Sequence, residues 1–87
     1  MKSTLKILFA DDDLKYSLVL KRFLEREGYE VTYTGNGTMA LEQFPVVKPD
    51  LVLLDINMPG LNGFEVAEKI REIKSVRLMT VFKAYDA

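Results

Sequence analysis

Residues 51–54 read LVLL, four apolar side chains in succession, and residue 55 is an aspartate. A strand with one wet face alternates apolar and polar residues. An uninterrupted apolar run instead fits a parallel strand covered by helices on both faces. The rest of the chain supplies the partners for such a strand. Residues 5–10, LKILFA, form a second apolar run that ends in DDD. Residues 29–34, YEVTYT, alternate and are rich in β-formers, and residues 76–82, VRLMTVF, give a fourth strand. Helical spacing falls between them. Residues 14–27 place Tyr16, Leu20, Phe23 and Leu24 at that spacing, with Asp12 or Asp13 as cap and Gly28 as stop. Gly35, Asn36 and Gly37 read as a turn, residues 38–44 as a short helix with Ala40, Leu41 and Phe44 inward, and Pro45 and Pro49 as the brackets of a loop. Residues 64–74 predict a third helix with Phe64, Ala67 and Ile70 on one face. Strands alternating with helices imply parallel strands joined by right-handed crossovers, hence a three-layer α/β sandwich.

Eighty-seven residues allow one small domain, 1–87. The 48% hydrophobic and 29% charged content is that of an ordinary globular chain. A net charge of −1 leaves no electrostatic footprint for direct nucleic-acid binding. The chain has neither cysteine nor histidine, which excludes disulfides, thiolate and imidazole metal sites and Ser-His catalysis. No apolar run approaches the ~20 residues that span a bilayer. The apolar segment near the start is short and runs into three acids, unlike a secretion signal. A cytoplasmic setting is the expectation.

In sheets of this kind ligands bind beyond the carboxyl ends of the strands, where the strand order reverses. Asp11 and Asp12 end the first strand and Asp55 ends the third. If those strands are neighbours, three carboxylates converge at one edge. Such a cluster is stable when a cation sits among the acids or one of them is protonated. An all-oxygen donor set suits a hard divalent ion, Mg²⁺ or Mn²⁺. An aspartate beside such an ion can act as a nucleophile toward phosphorus. In the following loop Pro59 and Gly60 make a tight turn, and Gly63 admits the chain to the third helix. That turn can aim the Asn57 main-chain carbonyl at the metal. Taken singly, the DDD run reads as helix caps, Asp55 as a strand-end turn former and MPGLNG as a plain loop. Their joint arrival at one sheet edge is what points to a site.

The stretches KILFADDD, EREGYEVTYTGNGTMAL and PDLVLLDINMPGLNGFEVAEKIR together resemble the receiver domain of two-component response regulators. The resemblance implies a flavodoxin-like sheet of order 2-1-3-4. It implies that a sensor histidine kinase or phosphotransfer protein donates a phosphoryl group to Asp55. It implies Mg²⁺ held by Asp12, Asp11, Asp55 and the Asn57 carbonyl. The family has five βα units, whereas this chain stops after strand 4. The expectation is therefore an incomplete receiver without the fifth strand, its lysine, and the last helices. It also predicts self-association through an exposed strand-4 edge. The family places a Thr or Ser, then Ala, at the end of strand 4, where this chain has Lys83 before Ala84; Thr80 lies three residues too early. Lys83 is open to three readings: an exposed strand-end lysine, an altered chain end without function, or an ammonium near Asp55 that partly replaces the missing lysine.

Other classes fit less well. A receiver-like module that no longer switches could serve as a dimerisation or binding scaffold. An aspartyl-nucleophile phosphatase would want a second acid where Asn57 stands. A flavin-binding fold would want amides and hydroxyls in the first turn, where this chain has carboxylates.

Overall fold

The computed structural model describes residues 4–73 and the backbone of strand residues 77–81. The elements run β1 (Lys6–Ala10), α1 (Leu14–Arg26), β2 (Glu30–Thr34), α2 (Gly37–Val47), β3 (Leu51–Asp55), α3 (Gly63–Ile73) and β4 (Arg77–Val81). All strand pairs are parallel, and the order across the sheet is β2-β1-β3-β4. The three-layer sandwich expected from strand–helix alternation is the one found. Strand parity divides the core. Leu8, Ala10, Val52 and Leu54 face α2 and α3, where they meet Ala40, Phe44, Val66, Ala67 and Ile70. Ile7, Phe9 and Val31 face the other way, toward Leu20 and Leu24 of α1.

At the start of the sheet, Asp50 clasps Lys6 from both sides. Its carboxylate accepts the Lys6 N–H at 2.8 Å, and its own N–H donates to the Lys6 carbonyl at 2.8 Å. The clasp sets the register in which Ile7 lies beside Leu51 and Ala10 beside Leu54.

The helices differ from the sequence reading in three respects. In α1 the inward residues are Ser17, Leu20 and Leu24, while Tyr16 and Phe23 are exposed, Phe23 by 55%. Apolar residues occur almost all round this helix, so spacing alone does not choose a face. In α3 the buried face is Gly63, Val66, Ala67 and Ile70, and Phe64 is 60% exposed. The inward stripe begins at Gly63, the first helical residue, and Phe64 lies about 100° round the axis from it.

The third difference is at Pro45, which lies inside α2 and does not end it. A proline inside a helix removes one intrahelical donor and crowds the carbonyl four residues back, and α2 runs only two residues past it, to Val47. The helix continues until Lys48 takes a left-handed conformation at φ 53°, its N–H donating to Phe44, with Pro49 next. At the other end Asn36 caps α2 by accepting the Met39 N–H at 2.9 Å. The Gly35–Asn36–Gly37 turn thus passes straight into a helix beginning at Gly37.

Candidate metal and phosphoryl-acceptor site

The chain leaves β1 for β2 on one side of the sheet and later returns to β3 on the other side of β1. The crevice between β1 and β3 is therefore the point at which the strand order reverses. Asp11 follows β1 directly and Asp55 closes β3, so both acids rise at that crevice. Ligand oxygens of Asp11, Asp12 and Asp55 lie within 4.8 Å of one another. Asp11 is 1% and Asp55 2% exposed, whereas Asp12 faces solvent. Two buried carboxylates and one open one make a cup with a wet mouth. Like charges this close destabilise one another unless a cation or a shared proton intervenes. The donor set is all oxygen, so it fits a hard divalent cation such as Mg²⁺.

The two buried acids are held from behind. Asp11 Oδ1 accepts the Asp13 N–H at 2.9 Å, and the Asp11 N–H donates to the Thr34 carbonyl at 3.2 Å. The Asp11 carbonyl accepts the Tyr33 hydroxyl at 2.6 Å. Asp13 is the cap of α1, accepting the Tyr16 N–H at 3.1 Å. Asp55 Oδ1 accepts the Asn57 N–H at 3.3 Å, which curls the loop back over the carboxylate.

The loop after Asp55 earns its turn formers. Gly60 sits at φ 77°, the left-handed region expected of a glycine after Pro59 in a tight turn. Met58 is buried in the core and pins the loop's near side. Asn62 and Glu65 form a reciprocal capping box, each accepting the other's N–H at 2.9 Å. Gly63 then approaches the strand so closely that a Cβ there would lie 2.6 Å from the Asp55 carbonyl oxygen. The first turn of α3 is thus pressed against the backbone of Asp55.

The sequence-predicted acids Asp11, Asp12 and Asp55 are brought together, and Asn57, Pro59, Gly60 and Gly63 line the loop beside them. The β3–β4 register sets Thr80 opposite Leu54 and Val81 opposite Asp55. Lys83 lies outside the described residues. Sequence reading missed Tyr33 and the capping box. The N-x-x-E spacing of Asn62 and Glu65 is a recognisable cap signal, whereas Tyr33 becomes relevant only through the β1–β2 register.

A doubly wound parallel sheet with three converging carboxylates at its reversal point defines a class of α/β domain suited to hold a hard cation beside an aspartate. The sequence profile of the response regulator receiver domain matches residues 7–86, and the chain belongs to that family, the receiver modules of two-component signal transduction. The chain is 38% identical over 81 residues to the DNA-binding response regulator MtrA of Mycobacterium tuberculosis (strain ATCC 25618 / H37Rv), covering 93% of this chain and 36% of MtrA. It is 34% identical over 80 residues to sporulation initiation phosphotransferase F of Bacillus subtilis (strain 168), covering 92% of this chain and 64% of that protein. A receiver domain protein (CheY-like) from Methanospirillum hungatei JF-1 superposes with a TM-score of 0.88 at 30% identity, over 98% of this chain and 68% of that one. A chain from the complex of histidine kinase ThkA with response regulator protein TrrA gives a TM-score of 0.85 at 40% identity, over 97% of this chain and 72% of that one. The chain thus spans about a third of the length of MtrA and about two thirds of the M. hungatei receiver chain.

Proposed function

We propose that Asp55 is the phosphoacceptor of this receiver and that Asp11, Asp12, Asp55 and the Asn57 main-chain carbonyl hold Mg²⁺. The observation that carries the reading is the placement of three acid side chains within 4.8 Å at the reversal point of the sheet. In the reaction an Asp55 carboxylate oxygen attacks the phosphorus of a phosphohistidine. The P–N bond breaks as the P–O bond forms, and the imidazole leaves with its electron pair and takes up a proton. A bound Mg²⁺ would neutralise charge on the transferring phosphoryl group. Asp11, fixed by the Asp13 and Thr34 contacts, holds its carboxylate still while the exposed Asp12 leaves a way in for the donor.

The donor in this reading is a sensor histidine kinase or phosphotransfer protein. The complex of ThkA with TrrA, whose fold this chain shares, supports a kinase partner. Self-phosphorylation from a small phosphodonor and autodephosphorylation at Asp55 are the chain's own chemistry. Among the described residues no helix is long and apolar enough to cross a membrane, and a cytoplasmic location accords with a kinase-fed domain. β4 is paired only with β3 among the described residues, and self-association through its other edge is part of the proposal. Sedimentation equilibrium checks it: a dimer is expected, and a folded, monodisperse monomer overturns it.

Intact mass after incubation with acetyl phosphate tests the phosphoacceptor. The expected result is a Mg²⁺-dependent phosphoryl adduct that Asp55→Asn abolishes. No adduct on a folded wild-type chain, or an equal adduct on the variant, overturns the assignment.

A further inference from the structure

Tyr33 stands on β2 and belongs to neither the acid cluster nor the loop after Asp55. Its ring lies tilted at 54° against Phe9, with centroids 5.8 Å apart. Phe9 is buried in the core beneath α1, so the phenol is held by a fixed neighbour. From there the hydroxyl donates to the Asp11 carbonyl at 2.6 Å, a short and partly buried bond. That carbonyl belongs to the peptide joining Asp11 to Asp12.

The bond therefore acts at the hinge between the two acids. Asp11 is already fixed through its N–H and its Oδ1. Asp12 is exposed, and the direction its carboxylate takes follows from the tilt of the peptide before it. A side chain that fixes this peptide plane fixes how Asp12 presents itself to a cation shared with Asp11 and Asp55. Outer groups that orient metal ligands set affinity in this way without touching the ion.

We propose that Tyr33 is a positioning residue of the cation site, its hydroxyl locking the Asp11–Asp12 peptide so that both carboxylates converge with Asp55. This rests on the metal-holding reading above. Tyr33→Phe removes the hydroxyl and keeps the ring against Phe9. The loss of one orienting hydrogen bond should weaken Mg²⁺ binding by about three- to tenfold.

The test is the initial rate of phosphorylation of the full chain by acetyl phosphate, followed by intact mass across a Mg²⁺ titration. Metal-free thermal unfolding is measured on the same samples. For Tyr33→Phe the half-saturating Mg²⁺ concentration should rise about three- to tenfold, the size of one hydrogen bond, while the rate at saturating Mg²⁺ and the metal-free unfolding temperature stay close to wild type. An unchanged half-saturation overturns the proposal. So does a lower unfolding temperature with the same half-saturation, which would make the bond a prop for the β1–β2 edge alone. A wild-type chain whose rate is indifferent to Mg²⁺ overturns the metal-holding reading itself, and this inference with it.

Discussion

Leu54 and Leu53 are neighbours on β3, yet they meet different surroundings. Leu54 points toward α2 and α3 and is wholly buried, among Phe44, Val66 and Ile70. Leu53 points toward α1 and is only half-buried, against a smaller cluster of Ile7, Phe9 and Val31. The same contrast runs along the strand, with Val52 buried and Leu51 half-buried. Among the described residues two helices close one face of the sheet, and one helix lies over the other. The loop that shapes the acid pocket belongs to the closed face, through Met58 in the core and Gly63 against the Asp55 carbonyl. Among the described residues, the more fully packed face is therefore also the one that holds the loop beside Asp55.

The largest expected effect tests this contrast directly. Leu54→Ala should cost about 3–5 kcal/mol, because the cavity opens where packing is complete. Leu53→Ala should cost less than half of that, since part of the side chain already meets solvent. Denaturant unfolding of both variants decides it, and equal losses would break the comparison. Gly63→Ala is expected to fall between them in stability, at about 1–3 kcal/mol, from the clash of the new Cβ with the Asp55 backbone. It sharpens the comparison because it should also slow phosphorylation of Asp55, which Leu53→Ala should leave near wild type. Acetyl phosphate labelling at saturating Mg²⁺ reads that difference.

Much of this architecture was legible because the strands are short apolar runs and the stops are chemically plain. LVLL needed two covered faces, and it has helices on both. Asp11, Asp12 and Asp55 could be placed together because a doubly wound sheet brings the ends of its strands to one edge. The helix faces were harder to read. In α1 the apolar residues Leu14, Tyr16, Leu18, Val19, Leu20, Phe23 and Leu24 surround the axis, so the inward stripe depends on where the sheet lies. Val19, at 72% exposure, is as apolar as the buried residues and fits no inward face. Pro45 reads as an end, but α2 carries on for two residues, to Val47, before Lys48 and Pro49 close it. Tyr33 was invisible as part of the site because its hydroxyl reaches a main-chain atom of a residue 22 positions away. Only the pairing of Phe9 with Tyr33 across β1 and β2 brings it there.

The Asp50–Lys6 clasp has a consequence at the opposite end of the sheet. Asp11 lies five residues after Lys6 and Asp55 five after Asp50, so two equal lengths of chain leave a common origin and end on the two buried acids. The pocket is measured out as if by paired rulers. One residue more in either strand would advance one acid by about 3.3 Å and turn the following side chains to the other face. Changes of length belong to the loops between the elements, because the distance between the acids is counted from a hydrogen-bonded pair that lies far from either of them.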